Sequence, residues 1–323
     1  MRASAEPGVI VHGGAGRWSL VFEITREANL HINQDKIVAG VAEASRRGYR
    51  VLEDSGSPVD AVVAAIRYME DSGLFNAGVG SSLDASGQLG MDAGLMNGST
   101  GEAVGVARVR HPRNPIVLAR SLLGKTDHVI IACEPADRLA EKLGLERHPG
   151  PSPRALALYK WALREIEEGR MESVWRRNQE LARLLGLLGD TVGAVAIDHE
   201  GRIAAGVSTG GVSFKLPGRI GDSPVPGAGF YAWSNAGGVA ATGRGELALL
   251  TQVSARAADL MAELGDPQLS LEKILSLVED RYGPGLGLIG FNKNGEYGVA
   301  YNTEAMPWAY TGGLGDKWGF WRQ

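Results

Sequence analysis

Apolar positions along the chain follow two periods. GVIVHGGAG (8–16) is a short continuous apolar run closed by glycines, as expected of a buried strand ending in a tight turn. Residues 35–56 and 57–73 carry helical spacing and end at Gly56 and Gly73, and Pro58 stands in the first turn of the second. Residues 82–109 alternate short apolar runs with turn residues and predict a β-meander. NPIVLARSLLGK (114–125) predicts a helix, HVIIAC (128–133) a strand, and PADRLAEKLG (135–144) another helix. Pro149, Pro151 and Pro153 then interrupt the chain before a charged, amphipathic helical stretch at 154–188.

The pattern changes at residue 190. TVGAVAID (191–198) and GRIAAGVS (201–208) read as two strands of a hairpin. GGVAATGRG leads into a helix over 246–264, and GLGLIGFN (285–292) pairs with EYGVAYN (296–302) around KNG. Helices therefore come in pairs between runs of antiparallel strands, which predicts two sheets covered by helices in a layered α+β fold.

Composition narrows the function. A net charge of −4 over 323 residues, 22% of them charged, gives no basic footprint for nucleic acid. No apolar run approaches the roughly 20 residues of a membrane span, and the N-terminal stretch lacks the apolar core of a secretory signal. The expected location is the cytoplasm. Cys133 is the single cysteine, which excludes a disulfide framework, and the six histidines show no metal-binding spacing. His12 reads as satisfying a turn hydrogen bond. The 46 glycines cluster beside apolar runs, where tight turns and loops crowd a ligand.

Three motifs fail on context. GVSTG (206–210) matches G-x-S-x-G, but no helix follows promptly and no histidine lies downstream of Ser208. GLGLIG (285–290) runs on into a hairpin rather than a helix. The GKT at 124–126 has Ala119 where a phosphate loop needs glycine.

LLGDTVGAVAID (187–198) poses the central question, because a charged Asp190 and Thr191 open the most apolar run of the chain. A hydrolase without a Ser–His pair can use an N-terminal threonine whose own α-amino group is the base. That amine has a reference pKa of about 7.7–8.0, so part of it is neutral near neutral pH. The role requires the bond after Asp190 to break. By spacing alone, Thr191 reads as an ordinary strand residue after a helical stretch ended by Asp190.

HGGAG (12–16), FNAGVGSSLDASG (75–87), MDAGLMNG (91–98) and RNP (113–115) are followed by DTVGAVAID, STGGVSFKLPGRIGDSPVPGAG, TGRGE and YNTEAM. In that order they resemble the plant-type L-asparaginase / isoaspartyl aminopeptidase family of N-terminal nucleophile hydrolases, from about residue 8 to about residue 310. The STGG…PGRIGDSP run is the most specific part.

The resemblance implies a four-layer αββα sandwich in one domain, 1–323. It implies self-cleavage into an α chain (1–190) and a β chain (191–323), with 151–190 as the linker before cleavage, and a homodimer of αβ units. It implies hydrolysis of the side-chain amide of L-asparagine, of β-aspartyl dipeptides, or of both, releasing L-aspartate. Thr191 is then the nucleophile, Thr209 the second hydroxyl beside it, and Thr242 with Gly243 the oxyanion donors. Asn76 falls near the nucleophile by position, though a turn asparagine explains it as well. Arg219 and Asp222 correspond to a clamp for the substrate's α-carboxylate and α-ammonium; as residues alone they read as a surface ion pair. No cofactor is required, but the resemblance implies a structural sodium held by the carbonyls of Met69, Glu70, Ser72, Phe75, Ala77 and Val79.

Asp190 departs from the glycine common at this junction. It is similar to the aspartate of the sister family glycosylasparaginase, which assists self-cleavage. Cleavage of GlcNAc-Asn is therefore an alternative activity, and an unprocessed chain that binds small amino acids is another. The segment 151–190 also reads as more helical than the mobile linker typical of the family.

Overall fold

The computed structural model describes residues 5–168 and 191–322. Eight strands form the larger sheet: β1 (Gly8–His12), β2 (Met91–Asn97), β3 (Ala103–Val109), β4 (Ile130–Ala132), β5 (Val192–Ile197), β6 (Ile203–Thr209), β11 (Ala305–Gly312) and β12 (Lys317–Trp321). They lie in the order β12-β11-β1-β5-β6-β2-β3-β4, and only the β3–β4 pair is parallel. The smaller, antiparallel sheet is formed by β7 (Phe230–Trp233), β8 (Gly237–Gly243), β9 (Leu286–Asn292) and β10 (Tyr297–Tyr301), in the order β10-β9-β8-β7.

Strands buried on both faces explain the continuous apolar runs of the sequence. In β1, Val9 and Val11 join one core while Ile10 joins another. In β5, Ala194 and Ala196 divide from Val195 and Ile197 in the same way. The first core lies against α2 (Gln34–Glu53), α3 (Pro58–Ser72), α4 (Pro115–Leu122) and α5 (Cys133–Lys142). The second is built from side chains of both sheets, with Val207 and Ile197 meeting Phe230, Ile289 and Phe291. A third joins Val239, Ala241 and Leu288 to α8 (Val253–Leu264) and α9 (Pro267–Tyr282).

Helix ends follow local chemistry. The Asn33 side chain accepts from Lys36 N–H to start α2, and Ser57 accepts from Asp60 N–H, with Pro58 next to it, to start α3. Gly73, at φ 66°, stops α3 in the left-handed conformation. The helix expected over 246–264 is instead two, α7 (Gly245–Thr251) and α8, broken where Gln252 takes φ 50°. The meander expected over 82–109 contributes only the β2–β3 hairpin, preceded by a 3₁₀ turn at Gly78–Gly80. Of the helical stretch at 154–188, Pro153–Glu167 forms α6, and the rest lies beyond the described residues. The remaining helix is α1 (Trp18–Glu27).

One packing detail positions the site. Gly94 of β2 and Gly105 of β3 are register partners, and a methyl on either would strike the main chain of the 223–224 loop or the Phe230 ring. The bare backbone lets the loop after Asp222 lie directly on the sheet. No helix among the described residues is long and apolar enough to cross a membrane.

Candidate active site

Strand register brings distant residues together at one end of the sheets. Thr191 immediately precedes β5, where Val192 pairs with Ser208 and Gly193 with His12. The C-terminal end of β6 therefore sets Thr209 beside Thr191, and the HGG turn after β1 closes the other side. From the second sheet, Thr242 of β8 points at the same place: its Oγ1 accepts from Thr191 N–H at 3.2 Å and from Ala15 N–H at 3.2 Å. All three threonines are buried, Thr191 at 6%, Thr209 at 2% and Thr242 at 1% exposure. Gly243 follows at φ 109°, where a side chain would run into the Gly285 carbonyl. Asp190 lies outside the described residues.

His12 does not satisfy the expected turn hydrogen bond. Its ring is fully buried, and neither nitrogen has a partner among the described residues. Burial pushes the ring down to about 3, opposed by the Thr191 main chain, which stands near without closing a hydrogen bond. The imidazole is neutral at physiological pH and packs against Gly193, whose position has no room for a side chain.

Asn76 is tied twice to the turn after β6 and once to Ser82. Its Nδ2 donates to Gly211 O at 2.7 Å, its Oδ1 accepts from Ser82 N–H at 2.7 Å, and its carbonyl accepts from Gly210 N–H at 3.0 Å. Thr209 Oγ1 accepts from Gly211 N–H at 2.8 Å, closing the turn. From the opposite side Lys215, 2% exposed, donates through Nζ to the carbonyls of Gly90 and Gly210. Burial pushes the Lys215 ammonium down to about 8, while Asp92 and Asp84 favour its charge. Phe214, next to it, sits at φ 62° and packs against Tyr159 of α6, the two rings tilted by 30° with centroids 5.2 Å apart.

Arg219 and Asp222 do not form the surface ion pair that residue types alone suggested. Arg219 is bound instead by Glu246, whose Oε1 lies 3.0 Å from both Nε and Nη2. Asp222 is 5% exposed, and burial pushes its carboxyl up to about 6 against the pull of Arg219. Gly245 lies between them: a methyl there would be 3.0 Å from Arg219 Nη2 and in collision with Asp222 Oδ1. A cation and an anion thus face one gap, with glycine keeping it open.

Met69, Glu70 and Ser72 end α3, and Phe75, Ala77 and Val79 lie on the loop that turns back to the 3₁₀ turn. Carbonyls in the last turn of a helix lack intrahelical donors and carry the negative end of the helix dipole. Ser72 Oγ donates to Met69 O at 2.8 Å and Gly80 N–H to Ala77 O at 3.0 Å, which leaves a second lone pair on each. An all-oxygen set of this kind suits a hard cation. The Glu70 side chain serves the core instead. Buried, and pushed up to about 8 by burial, it accepts from Ser208 Oγ at 2.6 Å and from Ile116 N–H at 3.0 Å. Ser208 is therefore a link between β6 and α3, not a nucleophile.

The family model for asparaginase matches residues 5–318 of this chain. The chain belongs to the plant-type asparaginase family. The plant-type L-asparaginase of Pyrobaculum calidifontis is 44% identical over 92% of this chain and 94% of its own length. That of Pyrococcus furiosus is 39% identical over 94% and 95%, and the isoaspartyl peptidase/L-asparaginase of Xenopus laevis is 34% identical over 94% and 92%. Membership makes the chain an enzyme and a hydrolase. Two residues of the candidate site carried no expectation from sequence. Glu246 stands inside the TGRGE motif, whose Thr and Gly alone drew attention, and Lys215 is an isolated cation in SFKLPGR, where only the fold reveals its burial.

Proposed function

We propose that this asparaginase-family chain cleaves itself before Thr191 and then uses Thr191 to hydrolyse the side-chain amide of L-asparagine and of β-aspartyl dipeptides. The observation that carries the reading is the Thr191 nitrogen held on Thr242 Oγ1, at the mouth of β5 and beside Thr209. In the precursor the Thr191 hydroxyl adds to the carbonyl of residue 190, and the C–N bond breaks to give an ester and a free α-amine. Water then hydrolyses the ester, leaving a carboxylate on Asp190 and a threonine whose amine is the base.

In turnover, that amine takes the hydroxyl proton as Thr191 Oγ attacks the amide carbon. The amine returns the proton to the departing ammonia or amino acid, and water releases L-aspartate from the β-aspartyl ester. Thr242 and Gly243 are proposed as the donors facing the oxyanion. Arg219 and Asp222 hold the α-carboxylate and α-ammonium across the gap at Gly245, and Asn76 and Thr209 keep the 209–211 turn in place. A sodium ion on the α3 carbonyls would stiffen the loop that carries Asn76. The order of the three cores, helices to sheet, sheet to sheet, sheet to helices, supports a four-layer αββα sandwich in one domain. The relatives' names favour the asparaginase and isoaspartyl-peptidase reading over glycosylasparaginase. A homodimer of αβ units remains part of the proposal.

The test is a substrate panel with the processed protein. L-asparagine should yield ammonia and β-aspartyl-leucine should yield leucine, with GlcNAc-Asn cleaved far more slowly. Preferential cleavage of GlcNAc-Asn would favour the sister activity, and no cleavage with intact amino-acid binding would reduce the chain to a binding protein.

Asp222 adds a pH signature. Its carboxyl must be ionised to meet the α-ammonium, so kcat/KM should fall as pH drops below about 6, and Asp222→Asn should lose that limb along with most of kcat/KM. The stability sign is opposite. A carboxyl raised from 3.8 to about 6 binds its proton more tightly when folded, so its contribution is present below 3.8 and lost as pH rises through 6. Thermal melts across this range should show Asp222→Asn gaining on the wild type as pH rises.

A further inference from the structure

Phe214 holds a left-handed backbone, at φ 62°, where a residue with a side chain is disfavoured. Such a conformation persists only where its surroundings over-determine it. Two sets of contacts do so here. Phe214 N–H donates to Leu83 O at 2.8 Å, and Ala85 N–H donates to the carbonyl of the next residue, Lys215, at 2.9 Å. The Phe214 ring, 3% exposed, lies in a small apolar cluster with Ala162, Tyr159, Trp161 and Leu163 of α6, apart from the three larger cores.

The sequence of α6 suits this docking. Ala155, Leu158 and Ala162 recur at helical spacing and are buried, and Ser152 Oγ accepts from Ala155 N–H to start the helix. Ahead of the helix, His148 Nε2 donates to Gly78 O at 2.9 Å; in its first turn, Arg154 Nη1 donates to Gly80 O at 3.4 Å. Tyr159 OH donates to Ala85 O at 3.4 Å. One segment thus grips the 78–85 stretch and, through Phe214, the loop after β6. That loop runs from Lys215, whose Nζ donates to Gly210 O at 2.7 Å, to Arg219, whose N–H donates to Leu216 O at 2.9 Å. Because α6 precedes Thr191 in the chain and Phe214 follows it, their contact would join the two pieces left by cleavage.

We infer that α6 is a positioning element of the ligand site: Tyr159 and Ala162 hold the Phe214 ring and so set the loop that carries Arg219. The inference rests on the proposed clamp and assigns a lasting role to a helix at the start of the expected linker. None of these three side chains touches the ligand. Their effect passes along the backbone from Phe214 to Arg219.

Calorimetry with L-aspartate, beside hydrogen exchange of the α6 amides, tests this on the purified protein. In the wild type those amides should be protected, whether or not the chain has been cut. Tyr159→Ala should speed their exchange and weaken L-aspartate binding at least fivefold. Tyr159→Phe keeps the ring and should bind within twofold of the wild type. Phe214→Gly removes the ring contact and accepts the left-handed backbone freely, so adding Tyr159→Ala to it should cost less than twofold more. In steady state with L-asparagine, KM should rise in Tyr159→Ala by more than kcat falls, because Asn76 still holds the turn at Gly211. Melting temperatures check that each variant folds.

Additive losses in the double variant, or a Tyr159→Phe protein as weak as Tyr159→Ala, would overturn the inference. So would a Tyr159→Ala protein that binds L-aspartate as the wild type does, a wild type that does not bind it, or wild-type α6 amides that exchange as a free chain. A wild type that binds L-aspartate but hydrolyses no amide would remove the proposed function and leave the positioning role standing.

Discussion

Thr191→Ala should remain a single 34.1 kDa chain and turn over neither L-asparagine nor β-aspartyl-leucine. The variant loses the hydroxyl that opens the peptide bond, so no α-amine is released and the later reaction has neither nucleophile nor base. Removing the nucleophile of an acyl-transfer enzyme costs about 10⁶ in kcat. Here a failure of processing adds to that loss. Thr191→Ser, which keeps a hydroxyl on the same backbone, should still process and turn over at a reduced rate. Alanine fits the buried position, so its melting temperature should stay close to that of the unprocessed chain. A Thr191→Ala protein that still splits into two pieces would remove the self-cleavage account at once.

Thr242→Val carries the second large effect. Valine matches threonine in shape, but it cannot accept from Thr191 N–H or Ala15 N–H, both of which end on Thr242 Oγ1. Two buried donors would lose their partner, at a cost of about 1–3 kcal/mol each. The larger consequence is kinetic. After processing, that nitrogen is the base, and a hydrogen bond to Thr242 directs its lone pair toward the threonine's own hydroxyl. Losing that anchor and one oxyanion donor together should lower kcat by about 10²–10³. KM should change much less, because the Thr242 hydroxyl meets the Thr191 and Ala15 nitrogens rather than Arg219 or Asp222. Single-turnover and steady-state rates, with a melting curve as control, separate the two effects. A large rise in KM at constant kcat would place Thr242 in ligand binding instead.

Much of the fold was legible because its strands are buried on both faces. GVIVH, VGAVAI and LGLIGFN read as strands by continuous apolarity alone, and the structure has them as β1, β5 and β9. Elements marked by weaker signals were missed. β11 contains Pro307 beside a register shift between Ala305 and Trp308, so neither its composition nor its alternation is regular. α1 starts at Trp18 with no side-chain cap, straight after the glycine turn. α9 had clear signals in Asp266, Pro267 and Gly283, although it was not among the predicted elements. The split at Gln252 had none, because left-handed backbone at a glutamine leaves no trace in a local pattern.

The site divides along the same line. Thr191, Thr209, Thr242 and Asn76 stood in recognisable motifs, and strand register brings them to one end of the sheets. The Arg219–Glu246 pair joins residues 27 positions apart, and the buried Lys215 takes its meaning from carbonyls on two other segments. Local sequence names such residues but does not say what they face. His12 makes the same point in reverse, since its neighbours suggested a turn hydrogen bond and, among the described residues, burial between strands leaves its ring nitrogens without one.

Intact mass and N-terminal sequencing of the freshly purified protein test the central claim most directly. Self-cleavage predicts two pieces of about 20 and 14 kDa, the 34.1 kDa chain divided in proportion to its 190 and 133 residues, with the smaller beginning TVGAV. A chain that stays at 34.1 kDa under all conditions, or one cut anywhere but before Thr191, would contradict it.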